Sequence, residues 1–477
     1  MLQRLWKSFL RTRIGRSVFR VGLPASNLER SQVAISSFLL HVQPAKVNRR
    51  ALKFRTTLGL GLITLYLFLI LIATGVLLMF YYVPATDYAY QNMKDLEFVV
   101  TAGQVLRNLH RWAAHLMVLF VVLHMCRVFY TGAYKTPREF NWVLGVVLFL
   151  LTLSLSFTGY LLPWDQLAFW AITVGTTIAS YAPLVGQKLQ FMFLGGHVVG
   201  ESALIRFYVL HVILLPLAAI VLIAVHLWRV RKDGGLARPD EPQATTEALS
   251  PAQLPLTKTY GLMELARGTT PAVGINPDDE VFTWPHLVFR EILLFLATLA
   301  VLLILAIFWN APLEQIANPV HPPNPAKAPW YFLGLQELVS YSAFWGGVVV
   351  PALLVTALVA LPYVDRKRKG VGVWFSGERK VALTVFSICL SIAVVLTVIG
   401  TAFRGPSWSF QLPWKPVHVE EHGRLWTLPS DREPSPARSD CPCPILRAGD
   451  GSRSATAWSS QNLVAVASRA RRACTLT

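Results

Sequence analysis

Seven stretches of this 477-residue chain are long and apolar enough to cross a bilayer, which restricts its fold more than any other feature. A spanning helix needs about 20 mostly apolar residues, and only a helix or closed barrel satisfies its own backbone in hydrocarbon. The stretches lie at 58–82, 110–130, 140–162, 204–228, 287–309, 343–363 and 380–402. Only 15% of residues are charged and 54% are hydrophobic, where a soluble domain carries about 25% charged residues. The expectation is an all-α integral membrane protein.

The stretches form a group of four and a group of three. A polar stretch at 229–286 separates them, opening with "RKDGGLARPDEPQATTEALSPAQ". We read 58–228 as a four-helix module, 229–286 as a cytoplasmic linker and 287–402 as a three-helix module. Lys and Arg favour alternate loops. Arg49, Arg50, Lys53 and Arg55 precede the first span, Lys135 and Arg138 follow the second, and Arg229, Arg231 and Lys232 follow the fourth. "DRKRKG" follows the sixth span, while the opposite loops hold Lys94, Arg107, Lys188, Arg206 and Lys327. The bias places the N-terminus in the cytoplasm and the C-terminal tail on the positive side. The formal charge of +18 thus reads as membrane orientation, and no nucleic-acid partner is expected.

The basic segment 1–57 opens "MLQRLWKSFLRTRIGRSVFR", amphipathic and without a continuous apolar core. It reads as a helix on an anionic leaflet and not as a secretory signal. The tail 403–477, rich in Ser, Arg and Pro as in "SDREPSPARSDCPCP", is expected to be disordered. The five cysteines form no CxxC or CxxCH, so neither a zinc ribbon nor a standard c-type haem attachment is encoded.

Within the second stretch, "NLHRWAAHLMVLFVVLHMC" carries His110, His115 and His124. An imidazole in hydrocarbon is costly and marks a functional site. His110 and His124 are 14 residues apart, which places them within about 40° of one face and roughly 21 Å apart along a helix. His211 and His226 on the fourth stretch are 15 apart, about 60° and roughly 22 Å. Two such helices can clamp two stacked metal centres, and imidazole suits haem iron as an axial ligand. Matched depth pairs His110 with His211 and His124 with His226. His115 lies about 140° from the ligand face and reads as a packing residue.

Glycines repeat the spacing. Gly61 and Gly75 on the first stretch are 14 apart, as are Gly145 and Gly159 on the third. A flat macrocycle between helices needs the close approach that glycine allows. Arg107, Arg111, Arg127 and Arg206 flank the histidines, where guanidinium groups could meet haem propionates.

These residues resemble the cytochrome b family of cytochrome bc complexes. "LHRWAAHLMVLFVVLHMCRVFYTGAYKTPREFNWVLGV", "FTGYLLPWDQLAFWA" and "LIRFYVLHVILLPL" are similar to its first four helices, over about 45–235. The likeness continues more loosely to about residue 402. The 15-residue histidine spacing resembles the plastid-type and related bacterial branch, whose two modules usually form separate subunits and here stand fused. The resemblance implies two b haems on His110, His211, His124 and His226, with quinol oxidised on the positive side in a Q-cycle. It implies a Rieske iron–sulfur partner, a c-type cytochrome or other acceptor, quinone, and a homodimer.

The stretch Pro163, Trp164, Asp165 and Gln166 resembles the segment beside the family's positive-side quinol pocket. The family's Pro-Glu-Trp-Tyr reads here "KAPWYFLGLQEL": Trp330 and Tyr331 are kept, but Pro329 stands where the glutamate would. Glu337, about two helical turns after Trp330, is the expected substitute as proton acceptor, the alternative being a residue that caps or pairs near the interface. The plastid-type branch also carries a covalent extra haem on a cysteine. That position falls at about Gly59 with no cysteine nearby, so no covalent haem is expected. A di-haem anchor of a dehydrogenase or reductase would share the histidines but needs no quinol pocket at "PWDQ" and "KAPWYF". A transporter using histidines as proton relays would show no b-type spectrum.

Overall fold

No charged residue interrupts Leu60–Met79, and its apolar residues surround the helix on every side. Such a helix has no polar face to offer water and belongs in lipid. We label it α1. The computed structural model describes residues 43–44, 46–49, 51–233, 235–237, 280–366 and 369–414, besides four isolated positions before residue 30. Most of the amphipathic N-terminal segment, most of the linker, and the tail beyond 414 therefore lie outside the described residues.

All seven expected spans are helices. With α1 and the short connecting helices, in chain order they are α1, α2 (Ala89–Phe98), α3 (Gly103–Tyr130), α4 (Glu139–Tyr160), α5 (Gln166–Ser180), α6 (Gly186–Leu194), α7 (Glu201–Lys232), α8 (Thr283–Phe308), α9 (Trp330–Tyr341), α10 (Trp345–Val364) and α11 (Gly377–Ala402). The spans are α1, α3, α4, α7, α8, α10 and α11. Outward residues such as Leu69, Ile213, Leu217 and Ile304 are exposed and apolar, as a lipid-facing surface requires. Helix α7 runs to Lys232 and α8 begins at Thr283, so the connection is shorter at both ends than the expected 229–286.

The short helices α2, α5, α6 and α9 all fall between spans at one end of the bundle. Of these, α2, α5 and α6 form a cap with its own core, which includes Tyr82, Met93, Leu96, Trp164, Ile172 and Phe207. Their mixed hydropathy hides them from a search for spans. One departure from an all-helical chain is a two-stranded antiparallel ribbon, β1 (Lys46–Asn48) with β2 (Glu280–Phe282), in register Val47 to Val281. The ribbon ties the entry to α1 to the entry to α8.

The two groups of spans are joined by buried polar contacts. Asn108 on α3 donates to the Ala306 carbonyl and accepts from the Ala311 N–H, each at 2.9 Å. Trp142 on α4 donates to the Leu358 carbonyl at 2.6 Å. Buried Lys135 meets Asp365 at 3.0 Å, and Tyr134 also donates to that carboxylate. Residues Met1–Pro416 group as one compact unit, and the second unit, Val417–Thr477, lies outside the described residues.

Candidate functional site

His110 and His124 stand on α3, and His211 and His226 on α7. The rings of His110 and His211 lie with centroids 6.3 Å apart and planes at 78°. Metal–imidazole bonds are about 2 Å long, so two in line, with the depth of each ring, reproduce that spacing. The unequal spacings on α3 and α7 are reconciled by the backbone. Leu210–Leu214, which includes His211, forms a π turn, and such a turn takes up one residue more than an α turn. The 15 residues of α7 then give the rotation of 14, so the offset falls from the 60° expected of an uninterrupted helix to that of α3.

The expected glycines each face one histidine. A Cβ on Gly61 would stand 3.1 Å from His124 Cε1, one on Gly75 3.3 Å from His110, one on Gly145 3.9 Å from His226, and one on Gly159 2.4 Å from His211. Helix α1 thus backs the histidines of α3, and α4 those of α7. All eight residues line one cavity of about 2190 Å³. A single small-molecule pocket is about 300–1,000 Å³, so this space has room for more than one such group. Paired imidazoles at two levels, each backed by a residue without a Cβ, fit two flat macrocycles with axial ligands.

The arginines divide. Arg107, Arg111 and Arg127 line the cavity. Arg107 is buried, donates to the Ala311 carbonyl at 2.6 Å, and keeps its Nε without a partner. Arg111 lies over the Tyr160 ring at 4.8 Å. Arg127 donates to the Thr56 carbonyl through Nε and Nη2 at 3.1 and 2.9 Å. Arg206 does not join them. It is exposed, points to the α6 side and donates to the Met192 carbonyl. It does not line the cavity.

At one end the cavity is lined by Pro163, Pro312 and Tyr331. Burial raises the Tyr331 phenol above its ordinary pKa. Trp164 and Asp165 stand behind this lining. Asp165 caps α5 by accepting from the Ala168 N–H at 2.8 Å, and it also accepts from the Glu314 N–H at 3.2 Å. Gln166 N–H donates to the Gln315 carbonyl at 2.9 Å. The "PWDQ" stretch therefore pins the loop after α8 to the cap, and burial raises the Asp165 carboxyl.

Glu337 is placed otherwise than expected. Its buried carboxylate takes Arg404 Nε at 3.0 Å and Nη2 at 2.5 Å, the Tyr341 hydroxyl at 2.8 Å and the Trp408 indole N–H at 3.1 Å. The Arg404 guanidinium holds it below the usual glutamate range, and it does not line the cavity. A carboxylate so engaged is a poor base, and here it ties α9 to the end of α11. Trp330 also stands off the cavity. It donates to His115 Nδ1 at 3.1 Å, while Arg111 Nε approaches His115 Nε2 at 3.1 Å. A neutral imidazole has one acceptor nitrogen, so His115 satisfies one of these donors at a time.

At the opposite end the cavity is lined by Gln43, Arg290 and Glu291. Gln43 Nε2 reaches both Glu291 oxygens at 2.8 and 2.7 Å. Sequence reasoning missed this carboxylate, although a charged pair inside an apolar run, "FREILLF", was a signal for it.

Imidazoles paired at two depths of one membrane cavity define a class, the membrane-embedded cytochromes of electron transport. Residues 49–234 match the family described as Cytochrome b/b6/petB, and 316–411 match Cytochrome b(C-terminal)/b6/petD. The chain belongs to the cytochrome b family of bc-type complexes and is accordingly a b-haem protein. It is 46% identical to cytochrome b6 of Heliomicrobium gestii over 175 residues, 37% of this chain and 82% of that protein. Cytochrome b6 of Tupiella akineta is 43% identical over 37% of this chain and 81% of its own length. A solved hyperthermophilic respiratory Complex III chain is similar, with a TM-score of 0.59 and 27% identity, over 72% of this chain and 84% of that one.

Proposed function

We propose that the chain is the di-haem cytochrome b of a quinol:acceptor oxidoreductase. One b haem would sit between His110 and His211, the other between His124 and His226. Bound there, the haems supply two one-electron couples that link the two ends of the membrane. The observation that carries this reading is the facing His110 and His211 rings at 6.3 Å, backed by Gly75 and Gly159. Arg107, Arg111 and Arg127 turn positive charge toward the cavity, where propionates would accept charge-assisted hydrogen bonds.

Quinol is oxidised at the Tyr331 and Pro163 end, which the Lys and Arg distribution assigns to the positive side. Trp330, Trp164 and Asp165 support the lining of that pocket from behind, and Glu337 holds its frame through Arg404. One electron leaves to a Rieske iron–sulfur partner, and on to a c-type cytochrome or another acceptor. The other crosses to the Glu291 end, on the cytoplasmic side, where quinone is reduced. Glu291 is the carboxyl that hands a proton on there. Release of protons at one end and uptake at the other builds the gradient of a Q-cycle. Two such chains make the homodimeric core. With no cysteine near Gly59, no covalent extra haem enters the proposal.

The test is a redox titration of the purified complex with haem counted per chain. Two b haems at separated potentials and a co-purifying Rieske protein are expected. A catalytic flavin or molybdenum subunit in place of the Rieske protein would support the anchor reading. A dithionite-reduced spectrum without a b-type band would exclude both.

A further inference from the structure

The outer ring nitrogens of His110 and His211 each meet a threonine hydroxyl. At the upper level, His110 Nδ1 lies 2.8 Å from Thr74 Oγ1, and His211 Nδ1 lies 3.2 Å from Thr158 Oγ1. Each hydroxyl has one proton to give. That of Thr74 is directed to the Ile70 carbonyl at 2.7 Å, and that of Thr158 to the Ser154 carbonyl at 2.8 Å. Both oxygens are therefore left as acceptors, and both imidazoles must donate through Nδ1–H. This fixes one tautomer and leaves each Nε2 lone pair free.

At the other level the same places hold no hydroxyl. Thr74 and Thr158 immediately precede Gly75 and Gly159, whereas Leu60 and Leu144 precede Gly61 and Gly145. His226 Nδ1 is buried and makes no hydrogen bond of ordinary geometry, although the Asn141 carbonyl faces its ring as the Leu155 carbonyl faces that of His211. A second difference in the same direction is that each threonine is itself polarised by the backbone carbonyl it serves, and a chain of hydrogen bonds strengthens each member.

We infer that Thr74 and Thr158 are positioning residues that set the potential of the His110/His211 haem below the one it would otherwise have. The inference rests on the di-haem reading above. An Nδ1–H held by an acceptor makes imidazole a stronger electron donor to its metal, and second-shell hydrogen bonding is one of the levers on haem potential. The stronger donor favours the oxidised iron.

The experiment is a potentiometric titration of the intact complex carrying Thr74→Val and Thr158→Val, singly and together, with haem counted per chain. Valine keeps the shape and removes the acceptor. The expected result is a rise in the midpoint potential of one haem, greater in the double variant, with the other haem unmoved and Thr→Ser restoring the original value. An unchanged potential, or equal shifts of both haems, overturns the inference. If the valine chains fail to assemble, Leu60→Thr decides: an added hydroxyl beside His124 lowers the potential of the second haem, and no shift there overturns it. A wild-type complex without two b haems is instead a failure of the di-haem reading, seen before any variant is made.

Discussion

Gly159 presents its bare α-carbon to the imidazole of His211, and a Cβ there would lie 2.4 Å from the ring. The ring is rigid and held by Thr158, so it cannot yield as a flexible chain end would. Gly145 faces His226 at 3.9 Å, an ordinary contact. Gly159→Ala should therefore cost the complex one b haem, or most of its occupancy, while Gly145→Ala keeps both. Pyridine haemochrome quantification per chain checks this, and equal haem content in the two variants would remove close packing as the reason for the glycines.

The three cavity arginines should separate from Arg206. Arg206→Ala removes an exposed contact to the Met192 carbonyl, and haem content and potentials should stay at wild-type values. Arg111→Ala takes away a guanidinium that lines the cavity. We expect weaker haem retention on detergent washing, measured by the b-band absorbance that survives. A larger loss from Arg206→Ala than from Arg111→Ala would show that the propionates lie elsewhere.

Glu337 should behave as a structural anion. Leaving a buried charge without its partner costs about 3–5 kcal/mol, so Arg404→Leu should lower the thermal midpoint of the complex markedly. Because Arg404 holds the Glu337 carboxyl below its ordinary value, its contribution is full above the unfolded glutamate value of about 4.3. It is lost as pH falls through the lower folded value. Glu337→Gln should flatten this acid limb of the stability curve while the pH profile of quinol oxidation keeps its shape. A moved activity profile would return Glu337 to the proton pathway.

Asp165 joins two elements through one carboxylate. Asp165→Ala removes the cap of α5, worth about 1 kcal/mol, and also the contact to Glu314 N–H. We expect a weakened affinity for quinol with haem content unaltered, read as a raised KM in steady-state quinol oxidation. Asp165→Asn keeps an acceptor oxygen and should recover most of the loss. Equal damage from both variants would point to a role for the negative charge itself.

The spans, the four histidines and the four glycines were legible because each obeys a period within one helix. Hydropathy marks the helices, and spacing marks their faces. The π turn at Leu210–Leu214 was hidden, since an extra residue looks like any other until the backbone is seen. The place of Arg206 was not legible, because nearness in sequence to His211 does not settle which face of α7 it takes. The pairing of Glu337 was hidden for a different reason: its partner Arg404 stands 67 residues further on. Long-range pairings of that kind leave no local pattern. The departure at Pro329 was visible, but its compensation was not.

The ribbon of β1 and β2 joins the two groups of spans by contacts that do not run through the linker. It clasps the segment before α1 to the segment before α8, and Asn108 locks α3 to α8 deeper in the bundle. A chain severed anywhere from 238 to 279 would still carry every contact described between its halves. Separately synthesised fragments ending and beginning in that interval should find each other as a heterodimer. One gene or two is thus a matter of expression for this architecture, because the recognition that assembles it is already written into the surfaces the halves share.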